Sequence, residues 1–309
     1  MLNATEAVAA SRQFLANTPD EFRLTSCSLR AVVLLPVMTA ELSKVQSRGL
    51  SRKRDLWWQF TVRAVESRYR GSIFGMFWAV LNPMLMLSIY FVVFGIIFGG
   101  HFRDPNTESL KDYAISMFLG LTLFQLMAET LGSAPLLVTA NTNLVKKVVF
   151  PLEILPLAQV GGLWFNLAIG LVLALVGWLA IGESLSLKGL LMLPVILAPF
   201  LMLSAGLAWL LSALGVFFRD LAQAMPFLAQ VVMYASAVVY PVTRIPASVW
   251  VFLKWNPFLQ TVVLAREVVL WGYPVNLTRL SYTYVAGVVM LIFGRWIFEK
   301  LRPAFADVI

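Results

Sequence analysis

The chain has 309 residues, a formal net charge of +8 and an isoelectric point near 9.8. Hydrophobic residues make up 60% and charged residues 13%, with a mean hydropathy of +0.80, a balance that leaves too little polar surface for a water-soluble fold and makes the bilayer the solvent. The basic residues flank apolar stretches and form no recognition module, which argues against nucleic acid as a partner, while a single cysteine, Cys27, and a single histidine, His101, argue against disulfide, zinc and redox chemistry.

Residues 1–40 are weakly patterned and read as a loose cytosolic extension. Their longest apolar run, Ala31 to Met38, is interrupted by Pro36 and too short to cross a membrane. Met38 is a possible alternative start. Cys27 follows Leu24-Thr25-Ser26 in the manner of a lipoprotein cleavage site, but Asp20, Glu21 and Arg23 stand where an apolar signal core belongs, so it reads as a plain thiol.

Residues 41–71 form a cytosolic interface region. Asp55, Gln59, Arg63, Glu66 and Arg70 recur at helical spacing on one face, and Trp58, Val62, Val65 and Tyr69 on another, which predicts an amphipathic helix lying in the membrane interface with Trp57 and Trp58 at headgroup depth. Arg68-Tyr69-Arg70-Gly71-Ser72 then turns the chain into the bilayer. Ser72 is expected to cap the helix that follows, and its N-terminal amides, with Arg68 and Arg70, suit a phosphate or pyrophosphate head; the simpler alternative is that these arginines neutralise bilayer phosphates and fix topology.

Six apolar stretches follow, each able to supply a crossing helix: Ser72 to Gly99, Tyr113 to Thr139, Ile154 to Gly182, Gly189 to Phe218, Leu221 to Thr243 and Thr278 to Phe298. The predicted fold is all-α integral membrane, with a transmembrane domain over 72–303 and a cytosolic tail over 304–309. Fourteen Lys and Arg fall on the face of the termini after residue 40 and seven on the other, which places both termini in the cytosol. Gly71 with Gly75 and Gly95 with Gly99 are spaced for close helix approach. Glu129 is the only acid well inside a span; without a second ionisable group it makes a poor proton relay and reads as packing, a dimer contact or pore wall.

Between the fifth and sixth spans, Ile245 to Leu253 and Trp255 to Leu270 are apolar but too short to cross, and Pro246, Pro257 and Pro274 break them. A re-entrant pair of helices on the outer side is expected. No internal repeat is evident.

The motifs carry a family resemblance. Arg68-Tyr69-Arg70-Gly71-Ser72 followed by Gly75, Trp78, Leu81-Asn82-Pro83 and Tyr90 resembles the opening of the membrane subunits of ABC-2 type polysaccharide exporters, the O-antigen, capsule and teichoic-acid transporters. Asn143-Leu144-Val145-Lys146-Lys147-Val148-Val149-Phe150-Pro151 is similar to their second signature, and Trp255-Asn256-Pro257 with Arg266 to their third. The similarity in order and spacing runs from about residue 41 to 303.

That resemblance implies a homodimeric permease of the cytoplasmic (inner) membrane, working with two cytosolic ABC ATPase subunits on a lipid-linked polysaccharide. ATP and Mg would belong to the partner and no cofactor to this chain, which has no Gly-x-x-x-x-Gly-Lys-Ser/Thr phosphate loop and is not expected to be an enzyme. By the same resemblance Asn143, Leu144, Lys146, Lys147 and Val148 would couple to the ATPase, and the aromatic rings Tyr90, Phe94, Tyr234 and Tyr240 would line the glycan channel, where flat faces take sugar C–H groups. Trp255, Asn256, Pro257 and Arg266 would form the outer gate, and Arg68, Arg70 and Ser72 would hold the lipid pyrophosphate.

Other classes fit less well. A proton-driven flippase calls for repeats and paired intramembrane ionisable groups, and a membrane transferase for clustered acids or a partnered histidine. Asp104, Glu108 and Asp112 are scattered, and His101 has no evident partner in sequence. Drug or small-lipid export shares the topology but not the three signatures.

Overall fold

A computed structural model describes residues 53–103, 108–146, 150–181 and 187–308. The expectations for residues 1–40, Cys27 and Met38 included, and for 41–52 lie outside the described residues, as do Lys147 and Val148. The chain divides into two compact units, Met1–Asp55 and Leu56–Ile309; every contact below lies within the second.

The described residues are helical, with no strand among them. Helix α1 covers residues 53–69, and α2 covers Trp78–Tyr90, entered through a 3-10 turn at Gly75–Phe77 and continued by a π-helical stretch, Phe91–Ile97. Then come α3, Leu110–Ser133; α4, Thr142–Lys146; α5, Ile154–Ile181; α6, Leu187–Phe217; and α7, Leu221–Ala235. Helices α8, Ala247–Leu253, and α9, Pro257–Ala265, precede the long α10, Leu277–Leu301, and a terminal turn α11, Phe305–Val308.

Among the described residues, five helical stretches are long and apolar enough to cross a bilayer: Gly75–Ile97, Leu110–Leu136, Ile154–Leu179, Lys188–Phe217 and Leu277–Val308. The fifth predicted span departs from expectation. Instead of running from Leu221 to Thr243, α7 stops at Ala235 after 15 residues, which spans about 22 Å and falls short of the ~30 Å hydrocarbon core. The break is built into the backbone, because Ala237 adopts a φ of 50°, a left-handed conformation that a non-glycine residue holds only when its surroundings fix it.

Helix α3 is the hub. It begins with a capping box, in which the Ser109 hydroxyl accepts from the Asp112 amide and the Asp112 carboxylate accepts from the Ser109 amide. It packs on α2, α5, α6 and α7. Most of its length is buried, Tyr113, Met117 and Leu123 completely so, and they belong to the main core with Phe200, Phe258 and Met233. A second cluster, Val138, Trp209, Ala213, Phe298 and Phe305, closes the end carrying α4 and α11. The predicted tail is therefore anchored through Phe305, which is fully buried.

Helices α6 and α10 cross in close contact. A methyl group on Gly294 would collide with the Gly206 carbonyl oxygen, one on Gly206 with that of Met290, and one on Gly287 would lie 2.5 Å from that of Pro199. The glycines singled out by spacing have another role. Gly71, Gly75 and Gly99 face open space and hold positive φ values of 86°, 48° and 57°, so they shape turns; Gly95 alone of the four packs, against Phe91 and Tyr113.

Helix α1 also differs from its sequence reading. The Trp57 indole N–H donates to the Leu157 carbonyl at 3.1 Å, Thr61 lies against Gly161, Val65 against Gly162, and the Tyr69 hydroxyl donates to Asn166 Oδ1 at 2.8 Å. Contacts that advance in step along both chains mean that α1 runs beside the start of α5 in the same direction. Its packed face is thus Trp57, Thr61, Val65 and Tyr69, while Trp58 and Val62 of the expected face are exposed. Glycines at 161 and 162 explain the rotation: the shallow groove they leave on α5 accepts Thr61, a polar residue that periodicity alone assigns to neither face.

Candidate functional site: a polar cavity at the mouth of the bundle

Asn82 and Tyr90 on α2, Gln125 and Glu129 on α3, Asn166 on α5 and Gln230 on α7 line one cavity, closed at one end by Arg68 and Tyr69 of α1. Its unfilled space, counted with the open mouth, is about 860 Å³. Amide side chains in a helix bundle of this hydropathy are costly unless they meet water, protein or a ligand. The amides of Asn82 and Gln230 make no hydrogen bond among the described residues, so they are available to whatever enters.

Arg68 closes the mouth. Its guanidinium makes a two-pronged pair with the Glu129 carboxylate, Nη1 donating to Oε2 and Nη2 to Oε1, and Gln125 Nε2 donates to the same Oε1 at 2.6 Å. Partial burial works against the arginine's charge, but the hydrogen bonds and negative charge of Glu129 outweigh it and hold the guanidinium above its ordinary pKa. Burial likewise raises Tyr69. Glu129 is the residue whose role the sequence left open: a lone intramembrane acid gives no hint that its cation comes from 61 positions earlier, on a helix outside the spans.

The other predicted head-group residues are arranged differently. Arg70 is exposed at the end of α1, and its side chain makes no hydrogen bond or ion pair among the described residues. Ser72 does not cap the next helix: Gly71 turns the chain with its left-handed φ, helical structure resumes only at Gly75, and the residue before that turn, Phe74, provides no side-chain cap. The displacement follows from two positive-φ glycines four residues apart, which hold a turn where a helix start was expected.

The four aromatic channel candidates lie together beyond the cavity. The Tyr90 and Phe94 rings are stacked, 6.1 Å apart with planes at 17°, and the Tyr90 hydroxyl lies 3.3 Å from Met233 Sδ. Tyr234, next to that methionine, is half exposed, and its carbonyl accepts from the Tyr240 hydroxyl. Tyr90 also borders the cavity, so the polar mouth and the aromatic row are continuous.

The third motif is a staple. Asn256 Oδ1 accepts from the amides of Phe258 and Leu259 at the start of α9, and its Nδ2 donates to Ser236 Oγ at 2.9 Å and to the Ala235 carbonyl at 3.2 Å. Pro257 occupies the first turn of that helix, where its missing N–H costs nothing. At the far end Arg266, 2% exposed, donates to the carbonyls of Ser116, Ala237 and Val238. Of the four gate candidates only Trp255 is strongly exposed, edge-on to Tyr282. Asn256 and Arg266 thus satisfy the backbone that α7 leaves open when it stops early.

In the second motif Asn143 and Lys146 are exposed, while Leu144 and Val145 pack partly against the second core cluster. The Arg302 guanidinium, at the end of α10, pairs with Glu153 at 3.1 Å beside it.

Comparison with known proteins agrees with this architecture. The membrane family of ABC-2 type transporters matches residues 55–270. An O-antigen export system permease protein RfbA from Klebsiella pneumoniae is 28% identical over 257 residues, covering 82% of this chain and 95% of the relative. RfbA from Myxococcus xanthus is 26% identical over 84% of this chain and 97% of its own length, and the polysialic acid transport protein KpsM of Escherichia coli is 25% identical over 79% and 92%. With its apolar spanning helices and a family match over most of its length, the chain belongs to the ABC-2 type transporter membrane family.

Proposed function

We propose that this chain is the permease subunit of an ATP-driven exporter of lipid-linked polysaccharide, most closely of O-antigen type. The observation that carries the reading is the joined polar cavity and aromatic row. Uncharged amides and tyrosines bind sugar hydroxyls without the deep charged wells that would trap a moving polymer, and the relatives that match nearly end to end are named for polysaccharide export. Two copies would face each other in the inner membrane with both termini in the cytosol, α7 and the segment after it making the sixth crossing and α8 and α9 a re-entrant pair. Two ABC ATPase subunits would dock on the α4 segment, and their nucleotide-driven closure would move the bundle as rigid pieces. Arg68 and Arg70 would receive the lipid pyrophosphate.

The test is reconstitution of the chain with a partner ABC ATPase. Lipid-linked glycan should stimulate ATP turnover and appear in the vesicle lumen; translocation that persists without nucleotide would overturn the reading. The similarity to KpsM makes a capsular polymer the second substrate to try.

A further inference from the structure

Glu129 sits at the cavity mouth with all its strong hydrogen bonds on one side. Oε1 and Oε2 both face Arg68, Gln125 adds a third donor at 2.6 Å, and the carboxylate is largely buried. A carboxylate is an acceptor only, so anything that takes Arg68 from it must offer a replacement donor or leave a buried charge short of partners. An anion alone cannot do this, because it attracts Arg68 but repels Glu129. A sugar phosphate can: its phosphate oxygens accept from Arg68 while a ring hydroxyl donates to Glu129. The free amides of Asn82 and Gln230 stand across the same cavity for the remaining hydroxyls.

We propose that the Arg68–Glu129 pair is a split receptor for the head of the substrate, opening so that Arg68 binds a phosphate and Glu129 binds a hydroxyl of the sugar attached to it. The inference rests on the reading of the chain as an exporter of lipid-linked glycan, and it names which part of that ligand the cavity holds: the first sugar, not the length of the polymer. The closed pair serves as the resting state, since each partner satisfies the other until both halves of the ligand arrive. A bare lipid diphosphate is thereby disfavoured, and specificity comes from the group that Glu129 would otherwise lose.

The experiment uses the full-length chain with its ATPase in lipid nanodiscs and two probes, a polyprenyl diphosphate with and without one N-acetylglucosamine, each competed against a fluorescent polyprenyl diphosphate. Wild type should bind the sugar-bearing probe about tenfold tighter. Glu129→Gln, which is isosteric and still bonds Arg68, should tighten the bare diphosphate several-fold and reduce the preference below about threefold, because the competing negative charge is gone. Gln230→Ala, at an exposed position, should weaken only the sugar-bearing probe. Equal binding of the two probes by wild type, an unchanged preference in Glu129→Gln, or equal weakening of both probes in Gln230→Ala would each overturn the receptor. ATP-dependent export measured in the same preparations separates the two readings. Wild-type export together with an unchanged Glu129→Gln preference removes the receptor and leaves the exporter, whereas absence of nucleotide-dependent export removes the exporter while the probes still decide the receptor.

Discussion

The Arg266 guanidinium lies 3.9 Å from the centre of the Phe102 ring while it donates to three backbone carbonyls, those of Ser116, Ala237 and Val238. One side chain from the α9 end therefore holds together the segment before α3, α3 itself and the broken end of α7. A lysine carries its three donors on one nitrogen and cannot reach carbonyls set around three separate guanidinium nitrogens, so it leaves buried carbonyls unpaired at about 1–3 kcal/mol each. Arg266→Lys should lower the thermal midpoint of the detergent-solubilised protein by roughly 5 °C or more, with export falling in proportion to folded protein. A variant of wild-type stability would place this arginine outside the scaffold.

The glycine crossing of α6 and α10 makes a paired prediction. Gly294→Ala pushes a methyl group into the Gly206 carbonyl and should cost about 2 kcal/mol or more. Gly177→Ala, in open space on α5, should be neutral or stabilising by about 0.5–1 kcal/mol. Thermal midpoints and protease resistance in membranes check both, and comparable loss in the two variants would refute the crossing.

The proposed coupling to an ATPase is best probed on the exposed side of α4. Lys146 projects outward while Leu144 contributes to the inner cluster, so Lys146→Glu should preserve the fold and reduce co-purified ATPase and export by about tenfold. Leu144→Asp should also uncouple the two, but through disturbed packing, with a measurable drop in stability. Full association in Lys146→Glu would remove this residue from the docking surface.

Replacing Tyr90, Phe94, Tyr234 and Tyr240 together by alanine should slow polymer export several-fold more than ATP turnover, because in the proposed path each ring offers a flat face to the passing sugars. Tyr240→Phe keeps the ring and removes only the hydrogen bond to the Tyr234 carbonyl, so it should keep most activity. Export unaffected by the fourfold change would remove these rings from the path.

Sequence was informative wherever one physical rule dominates. Apolar length located five of the six expected helices to within a few residues. It misled where two rules compete. Leu221 to Thr243 carries no charge and is mostly apolar, yet α7 ends at Ala235, because Arg266 and Asn256 offer its backbone other partners. Ser72 follows two arginines and suits a cap, but Gly71 and Gly75 hold a turn there instead. Trp58 and Val62 obey helical periodicity as well as Trp57 and Thr61 do, and only the glycine groove on α5 selects between the faces.

The sequence by itself determined that this chain lives in a bilayer, that it crosses by helices and that its motifs are those of ABC-2 permeases, since hydropathy, backbone hydrogen bonding and short motifs are all properties of neighbours along the chain. The meeting of Arg68 with Glu129, the burial of Arg266 and the cavity that joins amides from four helices were decided by tertiary structure. Each depends on residues far apart in sequence, and their partners are chosen by how α1, α3 and α9 pack, which no local pattern records.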